Sequence, residues 1–334
     1  MLKKLNFANL GLVLFYLAVI LIFAVFSPSF RSVGNFKNIL TGFSHIAIMA
    51  VGMTFPILLG GIDLSVGAIL ALVGMVAFDT MLIFGWPGWA AILAGLLTGA
   101  LAGLLNGFLV VRLKLTPFIA TLSTMVAYRG ATYAISGRQL YPELSTKAIT
   151  DHLYRYIDKS IGPIPLAFIY LLIVIVATHF LLRYTRLGIN LYTVGGNENA
   201  ARLAGININR VKLIAYMLSG LCTGLAGLIL TSRMTTATEN LGIGFELSAI
   251  AGAIIGGVSL QGGVGNTIGP AVGAFLIGTI YIGMTLLGVT TYAQPVVSGF
   301  ILMGAVGYDR YMKLKREQLL LKHQAMQPAQ EGAQ

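Results

Sequence analysis

Polar residues along this chain are gathered into short interruptions between long apolar runs. Those runs lie at about 10–27, 40–59, 64–84, 88–110, 117–136, 165–182, 213–231, 246–259, 267–287 and 292–308. A bilayer core about 30 Å thick is crossed by about 20 apolar helical residues. The pattern therefore predicts an all-α polytopic membrane protein with about ten transmembrane helices. The run at 246–259 is short for a span, so a tilted or broken helix is expected there, and nine to eleven spans fit. A membrane β-barrel would show alternating segments of roughly ten residues, and none is seen. Composition agrees: 57% of residues are hydrophobic and 10% charged, against about a quarter charged in a soluble domain.

Charge gives the direction of threading. With the N-terminus inside, ten spans place the N-terminus, 60–63, 111–116, 183–212, 260–266 and the tail in the cytoplasm. These segments hold 14 of the 22 Lys and Arg residues. That bias predicts cytoplasmic N- and C-termini. Arg31 and Lys37 fall outside and weigh against it, and the outer loop 137–164 is mixed in charge. The net charge of +11 is read as this membrane bias, with no nucleic-acid partner. Lys3 and Lys4 before an apolar run resemble a signal peptide, but no small-x-small cleavage pattern follows, so a retained first span is expected. Trp86 and Trp89 around Pro87-Gly88 suit an outer interfacial anchor. Residues 1–311 then form the transmembrane domain, and 312–334 a cytoplasmic tail, largely disordered beyond about 322.

The longest cytoplasmic interruption is "RLGINLYTVGGNENAARLAGININR", residues 186–210. Gly195 and Gly196 suit a sharp turn. Asn197 is a good N-cap, Glu198 to Leu203 a fair helix former with Ala200, Ala201 and Arg202, and Gly205 a left-handed C-cap. A two-turn helix is too short to stand alone in water. It rests either on its own membrane domain or in a groove of a cytoplasmic partner.

Other polar residues keep two readings. Asp63, after Gly60 and Gly61 and before Ser65, either N-caps a helix starting at Leu64 or, near the inner mouth, gates or pairs with a cationic group. Arg129, with Tyr133 on the same face, is an intramembrane functional group or a side chain snorkelling to the outer interface. Asn106, Thr121, Ser123 and Thr124 bond between helices or touch a solute in a substrate path. His45, Asp79 and His179 are expected at interfaces. "LGGIDLSVG" (59–67) faintly echoes "IGGVSLQGG" (255–263), and the glycine-rich "GLLTGALAGLLNG" (95–107) predicts close helix packing. No phosphate-binding G-x-x-x-x-G-K-[ST] loop, metal-ligand cluster or nucleophile constellation occurs, and Cys222 is a lone cysteine. The chain is expected to be no enzyme and to hold no cofactor or metal.

Four stretches in order are similar to a known family: 49–72, 116–137, 185–221 and 244–278. They resemble the ribose permease-like membrane subunits of bacterial ABC sugar importers, a group that also holds arabinose permeases. The resemblance covers roughly residues 10–310 and is much less specific to the sugar. It implies an inner-membrane permease for a monosaccharide, a pentose such as ribose, embedded in membrane lipid. It further implies a second permease copy, a cytoplasmic ABC ATPase that binds ATP and Mg, and a periplasmic sugar-binding protein. Gly195, Gly196, Asn197, Ala200, Ala201, Leu203, Gly205 and Ile206 match its cytoplasmic coupling segment. Ile189 stands where the family has arginine, and Pro56 lies where an apolar residue is usual, suggesting a kink. The alternative is an ion-coupled carrier, but Asp79 lies near a span end and Asp63 and Glu246 at boundaries.

Overall fold

The helix α2 (Val33–Leu58) runs through the centre of the bundle. Every residue from Ser44 to Leu58 is buried, as expected of a helix apolar on all faces. The chain is seen here as a computed structural model that describes residues 7–136 and 151–326. α1 (Phe7–Phe26) precedes α2 through a single 3-10 turn. α3 (Val66–Leu82), α4 (Gly88–Arg112), α5 (Pro117–Ser136), α6 (His152–Tyr156) and α7 (Leu166–Tyr184) follow. Then come α8 (Arg186–Gly196), α9 (Glu198–Leu203), α10 (Ile208–Met234), α11 (Phe245–Ile255), α12 (Ile268–Leu286) and α13 (Ala293–Met326). α10, α11, α12 and α7 pack around α2.

Among the described residues, five helices are long and apolar enough to cross a membrane: α2, α4, α7, α10 and α12. Four shorter apolar stretches lie in α1, α3, α11 and α13. α5 coincides with its expected run but is more polar, carrying Thr121, Ser123, Thr124 and Arg129. Where boundaries differ from the hydropathy reading, local chemistry explains it. α2 begins at Val33, well before 40, because the Ser32 hydroxyl accepts from Asn35 N–H at 3.1 Å and caps it. α13 stays helical to Met326, beyond the expected span end near 308. Residues 327–334 lie outside the described part. So do Arg138, Glu143 and Lys147, with the rest of 137–150, in the loop between α5 and α6.

Residues 151–165 form local structure of their own. α6 is followed by a two-stranded hairpin, β1 (Ser160–Ile161) and β2 (Ile164–Pro165). Asp151 caps α6 by accepting from Tyr154 N–H at 2.9 Å, and its other oxygen accepts from Gly88 N–H at 2.8 Å. The Tyr154 amide foremost, with that of Gly88, holds the carboxyl below the usual carboxylate range. Trp86 and Trp89 flank this joint and are both 57% exposed.

The glycine stripe in α4 meets α10 backbone to backbone. A Cβ on Gly103 would lie 2.2 Å from the Tyr216 carbonyl, and one on Gly99 2.5 Å from that of Gly220. This contact lets two long apolar helices approach without a hydrophobic driving force.

α3 and α11 are the incomplete helices. At 1.5 Å per residue α11 is about 16 Å long, half a bilayer core. The segment 235–244 turns back from the end of α10 into the bundle. Gly242 then lies against Gly67 in the first turn of α3, where a Cβ on Gly67 would stand 2.4 Å from the Gly242 carbonyl. Two helix N-termini therefore start side by side inside the bundle.

Candidate functional site

At one end of the bundle the 183–212 segment meets both helix breaks. α9 forms as expected: the Asn197 side chain accepts from Ala200 N–H at 3.0 Å, and Gly205 has φ +76°. Its neighbour α8 was not anticipated. Thr185 caps α8 by accepting from Gly188 N–H at 3.3 Å, and Leu191 and Val194 are buried against Phe55, Leu58, Ala201 and Ile208. Gly195 and Gly196 consequently end a helix and do not form the turn their pairing suggested. Gly195 is glycine because a Cβ there would lie 1.7 Å from the Leu58 carbonyl.

That Leu58 carbonyl is shared. It accepts from Gly263 N–H at 2.8 Å. A Cβ on Gly262 would sit 2.7 Å from the Gly195 carbonyl and 3.0 Å from Gly60 N, and one on Gly60 3.7 Å from the Gln261 carbonyl. Tyr192 of α8 adds a hydroxyl bond of 2.8 Å to the Gly265 carbonyl. The two echoing glycine motifs are thus in contact with each other and with α8. The echo pointed to Gly262 and Gly263, whereas nothing in the sequence singled out Leu58 or Tyr192.

The outward side of the same segment is less covered. Leu203 is 90% and Ile189 62% exposed, and Gly196, Asn197, Ala200, Arg202 and Gly205 are exposed. Ala201 is the buried face of α9. Glu198 pairs with Lys212 of α10 at 2.8 Å and with Arg202 at 3.4 Å. These partly exposed pairs hold orientation and contribute little stability.

Deeper in, the break before α3 carries a closed polar network. One Asp63 oxygen accepts from Ser65 N–H at 3.0 Å, Ser65 Oγ at 2.6 Å and Asn106 Nδ2 at 3.3 Å; the other accepts from Ser219 Oγ at 3.3 Å. Asn106 in turn accepts from Thr124 Oγ1 at 2.6 Å, and Tyr128 donates to the Ala102 carbonyl at 2.8 Å. Asp63, Ser65, Asn106 and Ser219 are fully buried. Asp63 does accept from the Ser65 backbone, as the cap reading had it. The helix starts later, at Val66, with Ser65 in the cap position. The carboxylate ties α4 and α10 to the break through neutral donors, with no cationic partner among the described residues. Thr121 is also buried and donates to the Ile62 carbonyl at 3.2 Å, while Ser123 is exposed.

Removing the Asp63 carboxylate leaves several buried donors without an acceptor, at about 1–3 kcal/mol for each orphaned group. Asp63→Ala is expected to destabilise the protein by about 2–5 kcal/mol and Asp63→Asn by less, read as thermal unfolding in detergent. Equal, small losses would mean that the network bears no load.

Arg129 of α5 turns to the segment that follows α10. Its guanidinium donates to the backbone carbonyls of Glu239 and Leu241, the latter at 2.8 Å. Tyr133 donates to Asn240 Oδ1 at 3.3 Å. Together they fasten the re-entrant 235–244 segment. At its foot Glu246, in the first turn of α11, accepts from Gly244 N–H at 3.1 Å. His45, expected at an interface, is 3% exposed in the middle of α2 with its ring 5.4 Å from Phe245. Asp79 and His179 are partly buried near the ends of α3 and α7. Cys222 is buried and free. Among the described residues no group of acidic, His or Cys side chains is arranged for a metal.

Comparison with known proteins accounts for this architecture. Residues 35–306 match the family described as the branched-chain amino acid transport system / permease component. The chain is 38% identical over 308 residues to the ribose import permease protein RbsC of Haemophilus influenzae, covering 90% of this chain and 94% of that one. It is 40% identical over 293 residues to RbsC of Escherichia coli K12 (88% and 91% covered) and 41% identical over 298 residues to the D-allose transport system permease protein AlsC of the same organism (89% and 90% covered). No solved structure matches. The relatives are permease subunits and not enzymes, and the apolar helices fit a multi-pass protein of the inner membrane. The chain belongs to this permease family, as a ribose-permease-like membrane subunit of the ABC importer type.

Proposed function

We propose that this chain carries a neutral monosaccharide, a pentose such as ribose or a sugar of similar size, across the inner membrane by alternating access. α8 and α9 face the cytoplasm and dock on a separate ATPase that holds ATP and Mg. A periplasmic sugar-binding protein delivers the solute at the opposite end, and a second permease copy completes the pathway. Both chain termini are cytoplasmic. ATP-driven closure of the ATPase moves α9 and, through α8, the two helix breaks. That motion biases the bundle between outward- and inward-open states.

One observation carries this reading. The exposed α8–α9 segment is locked by backbone contacts at Gly195 onto both the α2–α3 and the α11–α12 breaks. Interrupted helices that begin within the bundle are where transporters place their solute sites. The cargo follows from the same place. Helix N-termini attract anions, but here each already has a carboxylate of its own, Asp63 at α3 and Glu246 at α11. Arg129 is spent on backbone carbonyls. A zwitterionic amino acid, the cargo in the family's description, finds less to hold its carboxylate there than a polyol does for its hydroxyls. Ser123, Tyr133 and Asn240, exposed on α5 and the re-entrant segment, are the residues proposed to line the path. Asn106 and Thr121 hold the helices behind it.

The test is energetic. In vesicles holding the permease, its ATPase and its binding protein, sugar uptake should require ATP and persist when ionophores collapse the proton and sodium gradients. Uptake that stops with the gradient and ignores ATP belongs to an ion-coupled carrier and ends this reading.

A further inference from the structure

A cavity of about 400 Å³ opens between α1, α2, α7 and α12, at the end of the bundle away from α8 and α9. Its walls are Tyr16, Ile20, Phe36, Ile39, Phe168 and Phe275. Several of its polar groups already bond within the protein. Tyr16 and Thr279 share a hydrogen bond of 3.0 Å at the deep end. Ser32 Oγ donates to the Ser29 carbonyl at 2.9 Å, and Asn35 Nδ2 to the Phe30 carbonyl at 3.0 Å. A sugar would gain few hydrogen bonds here. Arg31, exposed at the mouth, is the single charged residue on the lining.

The depth of this groove identifies what fits. Tyr16 lies ten residues before Phe26, the last residue of α1. At 1.5 Å per residue that is about 15 Å, one leaflet of a hydrocarbon core about 30 Å thick. The groove therefore runs from a guanidinium at the membrane surface to a closed floor near the midplane. Arginine recognises phosphate well, and the interior offers apolar and aromatic surface. We infer that this groove binds a phospholipid, with one acyl chain lying along Ile20, Phe36 and Phe275 and the phosphate on Arg31. The site does not depend on the transport reading. It sits between α1 and the helices α2 and α12 that border the two breaks, so an occupied groove would brace them.

The test uses the full-length protein in nanodiscs with a phospholipid bearing a diazirine in one acyl chain. Label is expected on peptides containing Tyr16–Ile20, Phe36–Leu40 and Phe275–Thr279. Ala24→Phe, which fills the groove, should reduce that label several-fold. Arg31→Ala should reduce retention of phospholipid through purification, read by native mass spectrometry. Leu17→Phe, on a face of α1 that is 54% exposed, should change neither and controls for general effects of added bulk. Label spread evenly over α1 and untouched by Ala24→Phe overturns the proposal. So does efficient disulfide formation between two copies carrying Ile20→Cys or Phe36→Cys, which would make the groove a seat for the second permease copy.

Discussion

Gly195→Ala is expected to lower ATP-driven uptake at least about tenfold, while Gly196→Ala leaves it near wild type. The two glycines are neighbours and both end α8, but their surroundings differ. A Cβ at 195 would overlap the Leu58 carbonyl at 1.7 Å and crowd Gly263 N at 2.7 Å, whereas nothing stands within 4 Å of one at 196. The overlapping atoms are backbone, so no rotamer change relieves the clash. Overpacking of this kind costs about 1–3 kcal/mol or more. It is relieved only by lifting α8 off the two helix breaks. The helical content should survive, because α8 is a peripheral element beside a bundle whose core lies around α2. Transport measured in vesicles beside thermal unfolding in detergent separates the outcomes. If both variants transport alike, α8 does not transmit through this contact.

Leu203→Asp is expected to act from the other side of the same segment. Leu203 is 90% exposed, so its replacement should alter stability by no more than about 0.5 kcal/mol. At a docking surface an exposed leucine on a rigid two-turn helix is a candidate anchor, and losing such an anchor typically costs 2 kcal/mol or more of binding, roughly thirtyfold in affinity. The variant should fold normally, fail to retain the ATPase subunit in pull-down and fail to stimulate its hydrolysis. Ile189, 62% exposed where the family resemblance expects arginine, would add an apolar contact to such a docking surface. Ile189→Arg should accordingly shift the salt dependence of ATPase binding. A Leu203→Asp protein that holds its ATPase as tightly as the parent would move the docking surface elsewhere.

How far these features could be read from the sequence depends on the kind of interaction involved. Helices set by long apolar runs were legible, since membrane thickness alone demands about 20 residues. α9 was legible because its cap and stop are local: Asn197 and Gly205 act within one turn of themselves. α8 was not, because "RLGINLYTVGG" carries a weak helical signal and three glycines, and its order comes from Leu191 and Val194 packing on Phe55 and Leu58. Gly195 was misread for a related reason. Glycine pairs usually mark turns, and only the approach of another backbone reveals a glycine kept for lack of room. Asp63 was half legible. Its bond to Ser65 is local, but its ties to Asn106 and Ser219 span 43 and 156 residues. His45 looked interfacial because the hydropathy run begins near 40, while capping at Ser32 extends α2 and carries His45 into its middle. The short run at 246–259 did foretell an incomplete helix. The return of 235–244 that creates it rests on Arg129, more than a hundred residues earlier.

The central claim is that α9 is the contact with the ATPase and that α8 passes its motion to the helix breaks. The most direct measurement is a cysteine at position 203 in a Cys222→Ala background, oxidised in vesicles against single cysteines along the groove of the ATPase. The account predicts a permease–ATPase disulfide whose yield changes with ATP binding and falls when Gly195→Ala is added. A position 203 cysteine that never cross-links, while one on another cytoplasmic segment does, would contradict it.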